Sequence, residues 1–227
     1  MWPTRTNLRI IKMTDKTGIS IITNFGCDNS CSYCIWKNHR LKDEKQPTDW
    51  ESLYLFLEQN QEKGWVSVSG GGDPLYQRKK HQYWWDVLLS ITEYLKLKVS
   101  VHTRSHCYDL SFWKRVDKCV FSIDHLSELS YVNWLWEETK GLFQIRLVHV
   151  VQATTSDDFI YELYDACYPR GFEVTLKEMV GCSDSGRYQQ LKNSNIRTVC
   201  PSLFFLDQGD YNIYYMPDNR IYHKFLL

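Results

Sequence analysis

Between residues 18 and 180 the chain alternates short apolar, β-prone runs with longer amphipathic stretches, and this rhythm restricts the fold more than any other feature of the sequence. Such alternation is the pattern of repeated βα units laid around a parallel sheet. The runs predict strands near 18–25, 65–69, 98–104, 118–124, 143–151 and 172–180, with helices near 48–63, 81–95, 109–116, 127–140 and 157–169. Thr48 or Asp49, after Pro47, offers a start to the first helix, and Gly64 offers its stop. Six strands with their helices are too few to close an eight-fold barrel. The expected fold is therefore α/β, a partial (β/α)₆ TIM-like barrel.

After Gly181 the pattern changes. The segment CSDSGRYQQLKNSN is polar and reads as a loop with one helical turn. The tail that follows carries two turn signals, QGD and PDN, between aromatic β-prone runs, which predicts a small antiparallel hairpin or meander. The expected organisation is one barrel domain over residues 1–181 and a C-terminal loop and hairpin extension over 182–227.

Lysine plus arginine equals aspartate plus glutamate at 27 each, so no global field draws the chain to nucleic acid or to an anionic membrane. No run of apolar residues is long enough to span a bilayer, and the first residues lack the apolar core of a secretory signal. The expectation is a cytoplasmic protein without a membrane partner. In that reducing setting the eight cysteines read as thiols and not as a disulfide framework. Three are packed together at 27, 31 and 34, the arrangement of metal ligands. The other five, at 107, 119, 167, 182 and 200, read as small buried hydrophobes.

In CDNSCSYC the three thiols stand in a C-x3-C-x2-C spacing directly after the first strand. Three thiolates on one loop suit a cubane iron–sulfur cluster whose fourth iron is left open. A structural zinc on Cys27, Cys31, Cys34 and His39 is the competing reading. One βα unit later comes SGGGDP, residues 69–74, where glycines let the backbone approach a ligand closely. Strand alternation places Val99, Val101, Phe121, Ile123, Ile145, Leu147, Val174 and Leu176 on one face, toward the helices. The other face carries Ser67, Ser69, Ser100, His102, Arg104, Ser122, Asp124, Arg146, Thr175, Lys177 and Met179. A face that polar is costly as plain core and reads as the wall of a wet site.

On these motifs the chain resembles the radical S-adenosylmethionine (radical SAM) superfamily over roughly residues 18–180. The resemblance implies a 4Fe–4S cluster on Cys27, Cys31 and Cys34, with S-adenosylmethionine chelating the open iron through its amino and carboxylate groups. It implies one-electron cleavage of the S–C5′ bond to give methionine and a 5′-deoxyadenosyl radical, fed by a flavodoxin or ferredoxin-type donor. Tyr33 matches the aromatic near the cofactor's adenine. Gly71, Gly72, Asp73 and Pro74 resemble the Gly-Gly-Glu-Pro stretch that binds the methionine amino group, with Asp in place of Glu. Ser122 and Asp124 fall where the family binds the ribose, although either also suits a helix cap.

Arg104, His102, Arg146 and Lys177 are the expected cationic contacts for the cofactor's carboxylate or for substrate. Arg104, Arg146 and Lys177 face only Asp124 among the carboxylates assigned to those strands, with Asp73 on the adjoining loop, which points to an anionic substrate. A small molecule or a nucleotide or nucleobase is favoured, because no peptide-binding module is visible. The alternatives are a glycyl-radical activase, a peptide-modifying radical SAM enzyme, and a non-enzymatic iron–sulfur or zinc electron carrier. Cys200 and the PDN turn resemble the start of the cysteine-rich extensions of peptide-modifying relatives, without their further cysteines.

Overall fold

The computed structural model describes residues 18–34, 49–179, 186–207 and 212–222. The strands are β1 Gly18–Thr23, β2 Trp65–Gly70, β3 Lys98–Thr103, β4 Lys118–Ser122, β5 Gln144–Val150, β6 Glu173–Lys177, β7 Leu203–Leu206, β8 Asn212–Tyr215 and β9 Ile221–Tyr222. The helices are α1 Trp50–Gln59, α2 Gln82–Tyr94, α3 Leu110–Trp113, α4 Leu129–Thr139, α5 Asp157–Cys167, α6 Gly186–Asn193 and α7 Ile196–Val199. Among the described residues the strands form one sheet in the order β7-β6-β5-β4-β3-β2-β1-β8-β9. Every neighbouring pair is parallel except the antiparallel β8–β9. The six strands expected from the sequence are β1 to β6, in chain order across the sheet, as repeated βα units require.

Register explains the core. The row Ile21↔Val68↔Val101↔Cys119↔Ile145 crosses five strands, and Phe121↔Leu147↔Val174↔Leu203 crosses four. All eight residues expected on the helix-facing side are buried. They meet Leu53, Phe56 and Leu57 of α1, Trp85, Leu88 and Leu89 of α2, Val132 and Leu135 of α4, and Ile160 and Leu163 of α5, at helical spacing. The abundant aromatics fill this layer. Trp85 and Trp113 are fully buried and donate their indole N–H to Pro74 O (3.2 Å) and Cys107 O (2.9 Å), tying two helices to loops at the carboxyl ends of β2 and β3. Cys107, Cys119, Cys167 and Cys200 are free and buried, as expected, while Cys182 lies outside the described residues.

The helix starts follow side-chain chemistry. Asp49 caps α1 by accepting from Ser52 N at 3.0 Å, and Ser156 caps α5 by accepting from Phe159 N at 3.1 Å. Gly64 ends the turn after α1 in the left-handed conformation, φ 71°.

The tail departs from the expected loop and simple meander: α6, Gly186–Asn193, makes eight residues of the polar segment helical, with Tyr188 and Leu191 buried against the core. The PDN turn does make the expected hairpin: Asn219 adopts φ 61° and its N–H bonds Met216 O at 2.9 Å between β8 and β9. The QGD signal lies outside the described residues. However, β7 pairs with β6 and β8 pairs with β1, both parallel, so the tail strands sit on opposite edges of the barrel sheet. An open partial barrel leaves two edges of unpaired backbone groups, and each receives one tail strand. Leu206 and Asn212 are six residues apart, which limits the gap between those edges to about 22 Å. No described helix is long and apolar enough to cross a membrane.

Candidate active site at the carboxyl rim of the barrel

The loop after β1 carries Cys27, Cys31 and Cys34, all free and half-buried. Its base is fixed by Phe25, which is buried, stacks on His81 at 4.1 Å and meets Trp84 edge-on at 5.1 Å. The loop after β2 lies against it backbone to backbone: Gly71 N donates to Thr23 O and Asp73 N to Gly26 O, both at 2.9 Å. This contact is what the glycines permit. A Cβ on Gly72, whose φ is +153°, would lie 2.6 Å from Gly26 O, and one on Gly70 would lie 2.8 Å from Thr23 O.

Two thiols already meet donors. Cys27 Sγ accepts from Asn29 N at 3.3 Å, and Cys31 Sγ accepts from the Arg104 guanidinium at 3.2 Å. Burial pushes the Cys27 thiol pKa up, and the Asn29 hydrogen bonds work against that rise. Three thiols on one loop, with N–H donors at two of the sulfurs, fit a cubane cluster, in which each thiolate binds a different iron. His39, the proposed fourth zinc ligand, lies outside the described residues.

Asp73 has a structural duty in the protein itself. Its carboxylate is 5% exposed and accepts four hydrogen bonds: Oδ1 from Thr103 Oγ1 (2.6 Å) and Leu75 N (2.8 Å), Oδ2 from Arg104 N (2.6 Å) and Ser105 N (3.0 Å). These bonds make the side chain a brace between the glycine loop and the end of β3. The shorter Asp fits this span.

Arg104 is likewise committed. Its guanidinium contacts Cys31 Sγ, Glu128 Oε1 at 2.9 Å and the carboxylate of Asp124. Burial disfavours its charge, but Glu128, the Cys31 sulfur and Asp124 more than offset that, so it stays protonated. Asp124 also accepts from Tyr33 OH at 2.9 Å. Burial and the Asp124 carboxylate push the Tyr33 phenol pKa up, keeping it neutral. The N-cap of the turn at 126–128 is His125 and not Asp124, and Glu128 closes its capping box, with Oε2 accepting from His125 N (2.9 Å) and also from Asp124 N (2.8 Å).

The inward face holds two groups of cations. Near the strand starts, Arg146 and Lys118 both pair with Glu173, at 2.6 and 2.7 Å. Arg146 is therefore not the surplus cation expected from the sequence, since Glu173 stands beside it in register. Lys177, at the end of β6, has no carboxylate partner among the described residues, and burial lowers its pKa. His102 is pushed down to about 3 by burial and by Lys177, Arg146 and Lys118, so it is neutral. On the same face Thr175 Oγ1 is buried without a hydrogen-bond partner.

No family model matches the sequence, and no curated protein does. Solved structures do. SuiB from Streptococcus suis bound to S-adenosylmethionine superposes with a TM-score of 0.66 and 16% identity, over 91% of this chain and 60% of that one. SuiB bound to its precursor peptide SuiA gives 0.65 and 16%, over 91% and 59%. The protein anSMEcpe with bound AdoMet gives 0.57 and 13%, over 83% and 63%. SuiB and anSMEcpe are radical SAM proteins, built on partial TIM barrels. The chain shares the fold of these structures. It spans about three fifths of these neighbours' length.

Within this fold, the structure gathers Tyr33, Arg104 and Asp124 beside Cys31, and places Ser122 on the inner face in register with Val148. A cavity of about 590 Å³ opens there, lined by Asn29, Cys31, Arg104, Asp124, His149 and Gln152 among others. Sequence reading missed Glu128, His149, Gln152 and Thr155. Ser32 Oγ donates to Gln152 Oε1 at 2.9 Å, joining the cysteine loop to the loop after β5. His149 sits between Ile123 O (2.8 Å from Nδ1) and Thr155 Oγ1 (2.9 Å from Nε2), and burial lowers its pKa. It shares the alternation of Ile145 and Leu147 and so reads as core. The available signal was the polar run QATTS directly after a barrel strand, the end where such folds carry their sites.

Proposed function

We propose that this chain is a radical SAM enzyme, with residues 1–181 holding the site and residues 182–227 flanking the sheet. The observation that carries the reading is the packing of the cysteine loop on the glycine loop, backbone to backbone, at the carboxyl rim of a parallel partial barrel. With a reduced 4Fe–4S cluster and S-adenosylmethionine bound, the site would supply a 5′-deoxyadenosyl radical that takes hydrogen from substrate. Cys27, Cys31 and Cys34 would hold the irons. The glycine loop lets a ligand approach backbone, and Arg104 and Asp124, the latter bonded to Tyr33, line one side of the cavity. A flavodoxin or ferredoxin-type protein is the expected electron donor.

The substrate lies in the barrel interior in this reading, and its class follows from the cation left without a partner. Arg146 is neutralised by Glu173, so Lys177, with neutral His102 and the unpartnered Thr175 hydroxyl, is the group that favours a carboxylate or phosphate on a small molecule or nucleotide. The likeness to SuiB, solved with its precursor peptide, favours a second reading in which the substrate is a peptide. The test is to reconstitute the protein anaerobically with iron and sulfide, reduce it, add S-adenosylmethionine and chromatograph for 5′-deoxyadenosine. Formation supports the proposal; its absence from a reconstituted, reduced protein refutes it.

A further inference from the structure

Arg104 is built into the molecule from both ends. Its backbone N–H is held by Asp73 Oδ2 at 2.6 Å, and its guanidinium is clamped by Glu128 at 2.9 Å and by Asp124. What it presents to the cysteine loop is one N–H, aimed at Cys31 Sγ at 3.2 Å. Glu128 is itself fixed by the amides of Asp124 and His125, so the fork has little freedom to turn away.

We infer that Arg104 sets the reduction potential of the cluster, acting through the sulfur of Cys31. The inference rests on the proposed cluster. Accepting an electron makes a thiolate-ligated cluster more negative. A hydrogen bond to a ligating sulfur and a cation beside it stabilise that added charge and raise the potential. Asp124 and Glu128 pull the other way, and Arg104 offsets one of their two charges; removing it would leave both carboxylates unopposed beside the thiolate. Arg104 is thus a positioning residue with an electrostatic duty, distinct from a contact to cofactor or substrate. The same geometry accounts for the aspartate in SGGGDP, whose short side chain ends at the Arg104 amide.

The experiment is a potentiometric titration of the reconstituted cluster without S-adenosylmethionine, followed by electron paramagnetic resonance, on wild type, Arg104→Gln and Arg104→Lys. Iron and acid-labile sulfide are measured on each sample. Arg104→Gln should lower the midpoint so that the reduced-to-oxidised ratio at fixed potential falls at least tenfold, about 59 mV for one electron. Arg104→Lys, which keeps the charge, should recover part of the shift. A wild-type midpoint in an Arg104→Gln protein with full iron and sulfide overturns the inference while leaving the proposed function standing. If Arg104→Gln holds no cluster, Glu128→Gln is read instead: it should raise the midpoint by freeing the guanidinium of one counter-charge, and an unmoved midpoint overturns the inference. A wild type that takes up no iron and sulfide overturns both.

Discussion

The amide of Asp73 donates to the carbonyl of Gly26 at 2.9 Å, so the loop after β2 is fixed to the residue that precedes Cys27. The cysteine motif and the glycine motif are therefore one structural unit. Gly72→Ala tests this without any cofactor, because its Cβ would press on Gly26 O at 2.6 Å. The expected result is a loss of about 1–3 kcal/mol in the cluster-free protein, the usual cost of such backbone strain, read by urea denaturation. Unchanged stability would show that the two loops do not pack as described.

Asp73→Ala removes the acceptor from four donors, two of them buried and two half-buried. Stability should fall by about 3 kcal/mol or more in urea, since hydrogen bonds to a charged group are each worth about 1.5–3 kcal/mol. A loss below about 1 kcal/mol would remove the brace from the account.

His102 gives the fold a pH dependence with a definite sign. Its folded pKa, about 3, lies below the unfolded value, so the folded state binds fewer protons. Its contribution is full above about pH 6.5 and is lost as pH falls toward 3, at up to about 1.4 kcal/mol per pH unit. The carboxylate of Glu173, held low by Lys118 and Arg146 against its own burial, adds loss in the same direction. His102→Asn should therefore flatten the urea midpoint between about pH 4 and 6.5 without abolishing the slope. An identical profile in the variant would place His102 in solvent.

Lys177→Met separates substrate placement from cofactor cleavage. If Lys177 holds an anionic group, substrate conversion should fall at least about tenfold, the effect of about 1.4 kcal/mol, with uncoupled 5′-deoxyadenosine formation retained. Product formation at the wild-type rate would take Lys177 out of the site.

The βα alternation, the three thiols and the two-faced strands were legible because each is a local pattern: period-2 burial, loop spacing and cap chemistry act within a few residues. What escaped depends on register between distant strands. Glu173 answers Arg146 only because β5 and β6 align those positions, and Glu128 reaches Arg104 across 24 residues. The edge pairing of β7 and β8 escaped for the same reason, since hairpin chemistry in the PDN turn says nothing about which barrel edge a strand joins.

The central claim is the cluster on Cys27, Cys31 and Cys34, and the direct measurement is the iron, zinc and acid-labile sulfide content of anaerobically purified protein. Wild type should carry iron and sulfide in equal amounts, matching a 4Fe–4S centre. Each of Cys27→Ala, Cys31→Ala and Cys34→Ala should lose both, since a cubane left with two protein thiolates is labile. Alanine at the buried Cys119 or Cys167 should leave both in place. Stoichiometric zinc without acid-labile sulfide in the wild type would contradict the account.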